Sequence, residues 1–320
     1  MPPARRIEEI VVTAQRTEES VRDVPISISV IDEQFIADRG ITDYRDLALY
    51  VPNAHIDPGN GLFPDVNIRG YGSALSNKAF EQSVGLAIDG IPYGRTPYFQ
   101  GPLFDLERVE VLRGPQGTLF GRNTTAGLLN VVTKGPTDEL EGEIEVEIGE
   151  LDRRRLQAAV GGPVIAGVLN VRLSGLLDER DGLVENTTAP YAAGANDRMN
   201  DRDRKAIRFQ LEMPDVFGVA LRASYERVDF DFTGVGWEAD RVPEKVRPFY
   251  RQFDPDMDFD PFNHVGSVDT AEFNRNRMET YVASAHRDIG DWALDALGGY
   301  SMVEVRSLFD DDFTPAPLLY

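Results

Sequence analysis

Apolar and polar residues alternate with a period of two along much of this chain. Residues 108–112 set Val109 and Val111 against Arg108 and Glu110, the pattern of a half-buried strand. Gly114, Pro115 and Gly117 then interrupt any regular element. A short apolar turn at 118–120, a polar loop at 121–127 and a second strand at 128–133 follow. Two strands bracketing a Gly- and Asn-rich excursion predict a rigid backbone platform, shaped by Gly114, Gly117, Gly121, Asn123 and Gly127. Upstream, residues 25–31 read as a strand. Asp32 caps a short helix over 33–38 that Gly40 stops. Thr42 caps a second helix with Leu47, Ala48 and Val51 as its apolar stripe, and Pro52 ends it. Strands at 65–69 and 84–88, with Asp89-Gly90 turning the latter into 91–93, complete an α+β domain of mixed sheet and small helices.

From Leu140 onward the alternation becomes longer and more regular. Ile144, Val146 and Ile148 interleave with Glu143, Glu145 and Glu147, and Ile207, Phe209 and Leu211 with Arg208, Gln210 and Glu212. Seven strands are expected, at 140–149, 154–161, 168–177, 205–213, 219–230, 277–287 and 292–306. Short turns at 161–167, 214–218 and 288–291 alternate with long polar loops at 178–204 and 231–276; the short connection at 150–153 is the one irregularity. A soluble sandwich would show similar strands, but short turns alternating with long loops favour an antiparallel transmembrane barrel.

Composition narrows the chemistry. A formal net charge of −21 over 320 residues repels nucleic acid. The absence of cysteine removes disulfides, zinc–thiolate sites and cysteine nucleophiles together. No apolar run approaches the roughly 20 residues of a membrane helix, and the N-terminus MPPARRIEEI lacks the apolar core of an export signal. Gly117–Gly121 is followed by Arg122-Asn123, so no phosphate-binding loop is formed. The sequon Asn123-Thr124-Thr125 is too short a pattern to carry meaning. Asp254, Asp256, Asp258 and Asp260, with Asp310, Asp311 and Asp312 further on, could hold calcium or form a solvated acidic loop, and the EF-hand order is missing. His55, His264 and His286 lack ligand spacing, and no nucleophile-elbow or zincin motif is present. Nothing points to an enzyme, a metal site or a cofactor.

The run LRGPQGTLFGRNTTAGLLNVVTK at 112–134 resembles the end of the plug domain of TonB-dependent outer-membrane receptors, active transporters of siderophores, cobalamin and sugars. IEEIVVTAQR at 7–16, DVPISISVID at 23–32, VNIRGYG at 66–72 and VGLAIDGIPYG at 84–94 resemble further pieces, in the family's order, with Ala126 a small departure. The resemblance implies a flexible N-terminal tail over 1–22, a plug domain over 23–138 and the N-terminal part of a β-barrel over 139–320. The tail would carry a TonB box, Glu8, Glu9, Ile10, Val11, Val12, Thr13 and Ala14, which pairs with TonB by strand addition. The same segment could equally be the first plug strand, and both could hold in different states.

Arg69 and Arg113 each precede a glycine at a strand end, and period two places both on one side of the sheet. The resemblance assigns them to a plug–barrel lock that grips paired barrel glutamates; the alternative is that both cap strand ends in water. It further implies gated import of a scarce solute, by default an iron–siderophore, across the bacterial outer membrane, with the plug facing the periplasm. The partners would be TonB with its inner-membrane energising complex, outer-membrane lipid and a small-molecule ligand met by loops 58–64, 73–82 and 93–101. Receptor barrels of this kind have about 22 strands, so seven read as a fragment of one. The rival readings are a truncated plug and barrel piece that only binds TonB, and a soluble β-rich adhesin.

Overall fold

A computed structural model describes residues 11–13, 16–17, 19–57, 64–72, 81–187, 195–234, 236, 242–260 and 263–310. The chain divides into two compact units. One comprises the chain through Gly135 with Val282–Gly299, the other Pro136–Tyr281 with Tyr300–Tyr320.

The first unit opens with two short strands, β1 (Val11–Val12) and β2 (Glu19–Ser20), paired antiparallel. β3 (Ser27–Asp32) leads into α1 (Glu33–Arg39), whose first turn is capped by Asp32 accepting from Phe35 N–H at 2.8 Å. Gly40, left-handed at φ 58°, ends it with its N–H on Ala37 O. α2 (Tyr44–Ala48) is capped by Asp43, not by Thr42 as expected. Asp43 Oδ1 accepts from the N–H groups of Arg45 and Asp46, while Thr42 donates its N–H and hydroxyl to Asp46 Oδ2. The two residues share the work of closing the helix N-terminus.

β4 (Ala54–Asp57), β5 (Asp65–Ile68) and β6 (Tyr71–Gly72) form a small sheet of their own. β7 (Val84–Ile88) and β8 (Ile91–Tyr93) make the expected hairpin through Asp89 and Gly90, both at positive φ. β9 (Leu106–Arg113), α3 (Gly117–Phe120) and β10 (Gly127–Thr133) complete the unit. The main sheet has the order β3-β9-β10-β7-β8, with β10 parallel to β7 and its other pairs antiparallel. β9 is thus interior to the sheet, and from Val109 to Leu112 every residue is buried. It is not the half-buried strand its alternation suggests.

The second unit is dominated by long strands: β11 (Glu141–Ile148), β12 (Arg154–Ile165) and β13 (Leu169–Arg180). After two short strands, β14 (Val184–Asn186) and β15 (Arg198–Met199), come β16 (Arg202–Met213) and β17 (Ala220–Phe232). A single turn of helix, α4 (Arg247–Tyr250), and a two-residue strand, β18 (Val265–Gly266), precede β19 (Phe273–Ile289) and β20 (Trp292–Leu308). The seven long strands form one sheet in chain order, β11-β12-β13-β16-β17-β19-β20, antiparallel from β11 through β17. All seven expected strands are present. The stretch 161–167, read as a turn, is largely strand, because β12 runs through a bulge at Pro163 to Ile165.

The two long loops are not structureless. β15, β14 and β18 join them in a three-stranded sheet over a small core of Val184, Met199 and Val268. Asn186 pins that sheet, donating to Asn196 O and Val268 O and accepting from Val268 N–H.

Two neighbouring strands of the long sheet, β13 and β16, are inverted relative to a soluble one. On β13, Asn170, Arg172, Ser174 and Asp178 are buried while Leu173 and Leu177 are exposed. β16 repeats this, with buried Arg208 and Gln210 alternating with exposed Ile207 and Phe209. Among the described residues no helix is long and apolar enough to cross a membrane, a criterion that does not apply to strands.

Candidate functional site

The first unit concentrates its polar chemistry around three features: the platform, the arginine pair and the seat of the N-terminal strand. The platform is the β9–α3–β10 connection. Gly114, at φ 95°, donates to Ala126 O, Gln116 N–H to Thr124 O, and Gly121, at φ 78°, to Gly117 O. A β-carbon on Gly127 would lie 2.5 Å from Leu112 O and 2.8 Å from Ile68 Cδ1. Only glycine lets β10 approach β9 there. Asn123 is buried in the left-handed region at φ 69°, a conformation asparagine tolerates better than most residues. All five platform positions therefore fall in one closed loop.

Arg69 and Arg113 lie in different sheets, since β5 and β9 do not share one; here the expectation of a common sheet fails. They nevertheless converge. Arg69, left-handed at φ 55°, donates from its guanidinium to Ser27 Oγ at 3.3 Å, and Arg113 to Ser29 Oγ at 2.8 Å. Ser27 and Ser29 are two apart on β3 and so share a face. Partial burial, and then the charge of Arg69, lower the Arg113 pKa from its ordinary value. Like charges held this close call for counter-charge.

The N-terminal segment supplies the third feature. Glu8, Glu9, Ile10 and Ala14 lie outside the described residues, but Val11, Val12 and Thr13 are well placed. Val12 is fully buried in an apolar cluster with Val24, Ala87, Leu112, Phe120 and Leu128. Thr13 sits over the carboxylate of Glu110, itself wholly buried at the centre of β9. Its N–H donates to Glu110 Oε1 at 2.8 Å and its hydroxyl at 3.2 Å. Arg108 Nε donates to the same oxygen at 2.8 Å, and Asn130 Nδ2 to Oε2 at 3.0 Å. Arg16, three residues on, donates to Leu119 O at 2.7 Å and lies over the Phe120 ring. Over its described residues the segment expected as a mobile tail is folded onto the domain.

Sequence reading missed Glu110, Arg108 and Asn130 as a group. The available signal was the pair of charges in a strand otherwise suited to a core. The aromatic residues expected to line a ligand surface on 93–101 are instead internal: Tyr93, Tyr98 and Phe99 are buried, with Tyr93 tilted against Tyr98 and Phe99 edge-on to Tyr44. Loops 58–64 and 73–82 fall mostly outside the described residues. In the acidic segment 254–260, a side-chain hydrogen bond with Asn263, and then one accepted from Asp260 N–H, lower the pKa of Asp258. Among the described residues no three acidic or histidine side chains converge on a metal position.

Comparison with known proteins is consistent with this geometry. Residues 20–128 match the model of the TonB-dependent receptor plug domain. The pesticin receptor of Yersinia pestis is 31% identical over 189 residues, covering 59% of this chain and 27% of that protein. The iron-regulated outer membrane virulence protein of Vibrio cholerae is 29% identical over 191 residues, covering 54% and 28%. Among solved structures, the ferric yersiniabactin uptake receptor FyuA from Yersinia pestis superposes with a TM-score of 0.74 over 88% of this chain and 41% of that one, at 23% identity, a likeness of fold alone. The chain spans about a quarter of the length of these curated relatives.

Proposed function

We propose, for a chain that carries the plug domain and barrel strands of a TonB-dependent outer-membrane receptor, that it serves TonB-dependent import of a scarce solute across the bacterial outer membrane. The solute we favour is an iron–siderophore, the kind of cargo named for the ferric yersiniabactin receptor that shares this fold. The observation that carries the reading is the pairing of that plug match with a seven-stranded sheet in which, on β13 and β16, buried polar residues alternate with exposed apolar ones. Strands so inverted suit lipid on one side and water on the other, and weigh against a soluble adhesin. Relatives with this domain are transport receptors, not enzymes.

In this reading residues 8–14 are the strand offered to TonB, and Arg69 with Arg113 is the lock. The arginine pair supports the lock by its chemistry: two guanidiniums close enough for the charge of Arg69 to act on Arg113, one of them partly desolvated, with only serine hydroxyls among their described partners. Such a pair is suited to paired carboxylates, which the guanidinium forks would bind bidentately. The experiment is uptake of radioactive iron from defined siderophores by cells lacking other ferric-siderophore receptors, with and without TonB. Accumulation that requires both this protein and TonB is expected. Accumulation indifferent to TonB, or none with any siderophore tested, would overturn the assignment or its iron part respectively.

A further inference from the structure

We propose that Glu110 is a latch that holds the N-terminal strand in its seat by occupying the Thr13 backbone N–H and hydroxyl, and that the strand must leave this carboxylate before a partner can pair with it. Among the described residues β1 spans two residues in a two-stranded sheet, and so short a ladder is marginal in water. Side chains must therefore hold the segment. Val12 supplies an apolar anchor, but a buried valine side chain carries no direction. Thr13 supplies direction, because both of its donors meet one oxygen, Oε1 of Glu110.

The carboxylate is built for this task. It has no exposure to solvent, and besides Thr13 it accepts from Arg108 and Asn130. Arg108 Nη2 and Asn130 Nδ2 also reach the Thr13 hydroxyl oxygen, at 3.3 and 3.2 Å. The threonine thus completes, with Arg108 and Asn130, a ring of three residues around the buried charge. If it departs, Oε1 keeps Arg108 but loses two donors, and a buried carboxylate short of donors is unfavourable. The seat resists emptying by that amount until something else changes.

The cost of leaving is matched by a benefit elsewhere. A strand-adding partner bonds to backbone N–H and C=O groups, and the Thr13 N–H cannot serve Glu110 and a partner at once. Seating and pairing are therefore mutually exclusive at this residue. The seat also touches the platform, since Phe120 at the end of α3 belongs to the cluster that holds Val12. A movement of the platform would loosen the seat directly.

Only the partner half of this proposal rests on reading residues 8–14 as a TonB-binding strand; the latch itself does not. The chain has no cysteine, so Val12→Cys provides a single labelling site that is buried while the strand is seated. In outer membranes containing the protein, maleimide labelling at position 12 should quicken about tenfold when Thr13→Val is added, as expected for losing a hydrogen bond to a charged group. Thr13→Val removes the hydroxyl and keeps strand propensity. Glu110→Gln should act in the same direction, and if it fails to assemble, Thr13→Val alone decides. Unchanged labelling in assembled Thr13→Val protein overturns the latch. Binding of the purified TonB C-terminal domain without ligand is the second readout. Faster labelling with stronger TonB binding supports both halves; faster labelling with unchanged TonB binding keeps the latch and removes residues 8–14 as the TonB strand.

Discussion

Strands β9 and β13 carry the same period-two alternation and fold it in opposite senses. In β9 the valines and leucine are buried, and the charged residues beside them are buried too, because another strand covers that face. In β13 most of the hidden residues are polar, with Arg172 at 3% exposure and Leu176 the exception, while Leu173, at 44%, and Leu177 lie open. The alternation itself records only that a strand has two unlike faces. Which face turns inward depends on the surroundings, and a lipid-facing sheet reverses the usual order.

The sharpest way to break this contrast is to put the same change in both places. Leu112, fully buried on β9, changed to alanine should destabilise the first unit by about 2–5 kcal/mol. Leu173→Ala, on the open face of β13, should cost well under half of that. Urea titrations of tryptic protection for the plug and of electrophoretic heat-modifiability for the sheet would compare them, and equal costs would mean the open face of β13 packs like a core. Next in size is Leu173→Arg, close to the middle of β13. A cation on the lipid face near the bilayer centre costs about 2–4 kcal/mol, so recovery of folded protein in membranes should fall sharply. Normal recovery would show that this face meets water.

A smaller effect is expected from Asp43→Ala. Loss of an N-cap typically costs about 1 kcal/mol, and thermal unfolding of the plug should move down while Thr42→Val, which keeps the cap, moves it less. Should Thr42→Val be the worse of the two, the cap assignment fails. Smallest in stability is Arg69→Gln, which removes a like charge beside Arg113. The plug should stay folded while permeability to large antibiotics rises. Unchanged permeability would leave the arginines as ordinary strand-end residues.

Much of this could be read in advance. The seven long strands follow from alternation alone, and the break after β9 from Gly114 and Pro115, although Gly117 opens the single helical turn α3 where a break and an apolar turn were expected. The lapses share a cause, which is pairing across long sequence separations. Glu110 looked like the solvent side of a half-buried strand because its cover, Thr13, is 97 residues away. β14 and β18 are too short for any period to show, and they pair across two loops, Glu185 against Val265. Arg69 and Arg113 were expected in one sheet and are brought together from two by a pair of serines on β3 to which no role was given in advance. The helix cap slipped by one residue because threonine and aspartate are both good caps and stand side by side.

The strand order of the main sheet has a mechanical consequence. β3 is an edge strand, paired with β9 alone. Tension applied at the N-terminus would reach the β1–β2 pairing first and the ladder between Ser27–Asp32 and β9 next, as separate steps in series. Stripping β3 from the edge would leave β9-β10-β7-β8 bonded, including the parallel β10–β7 pair. The domain is laid out so that its front can peel like a tab from a backing, while the backing keeps its shape and the tab can be laid down again.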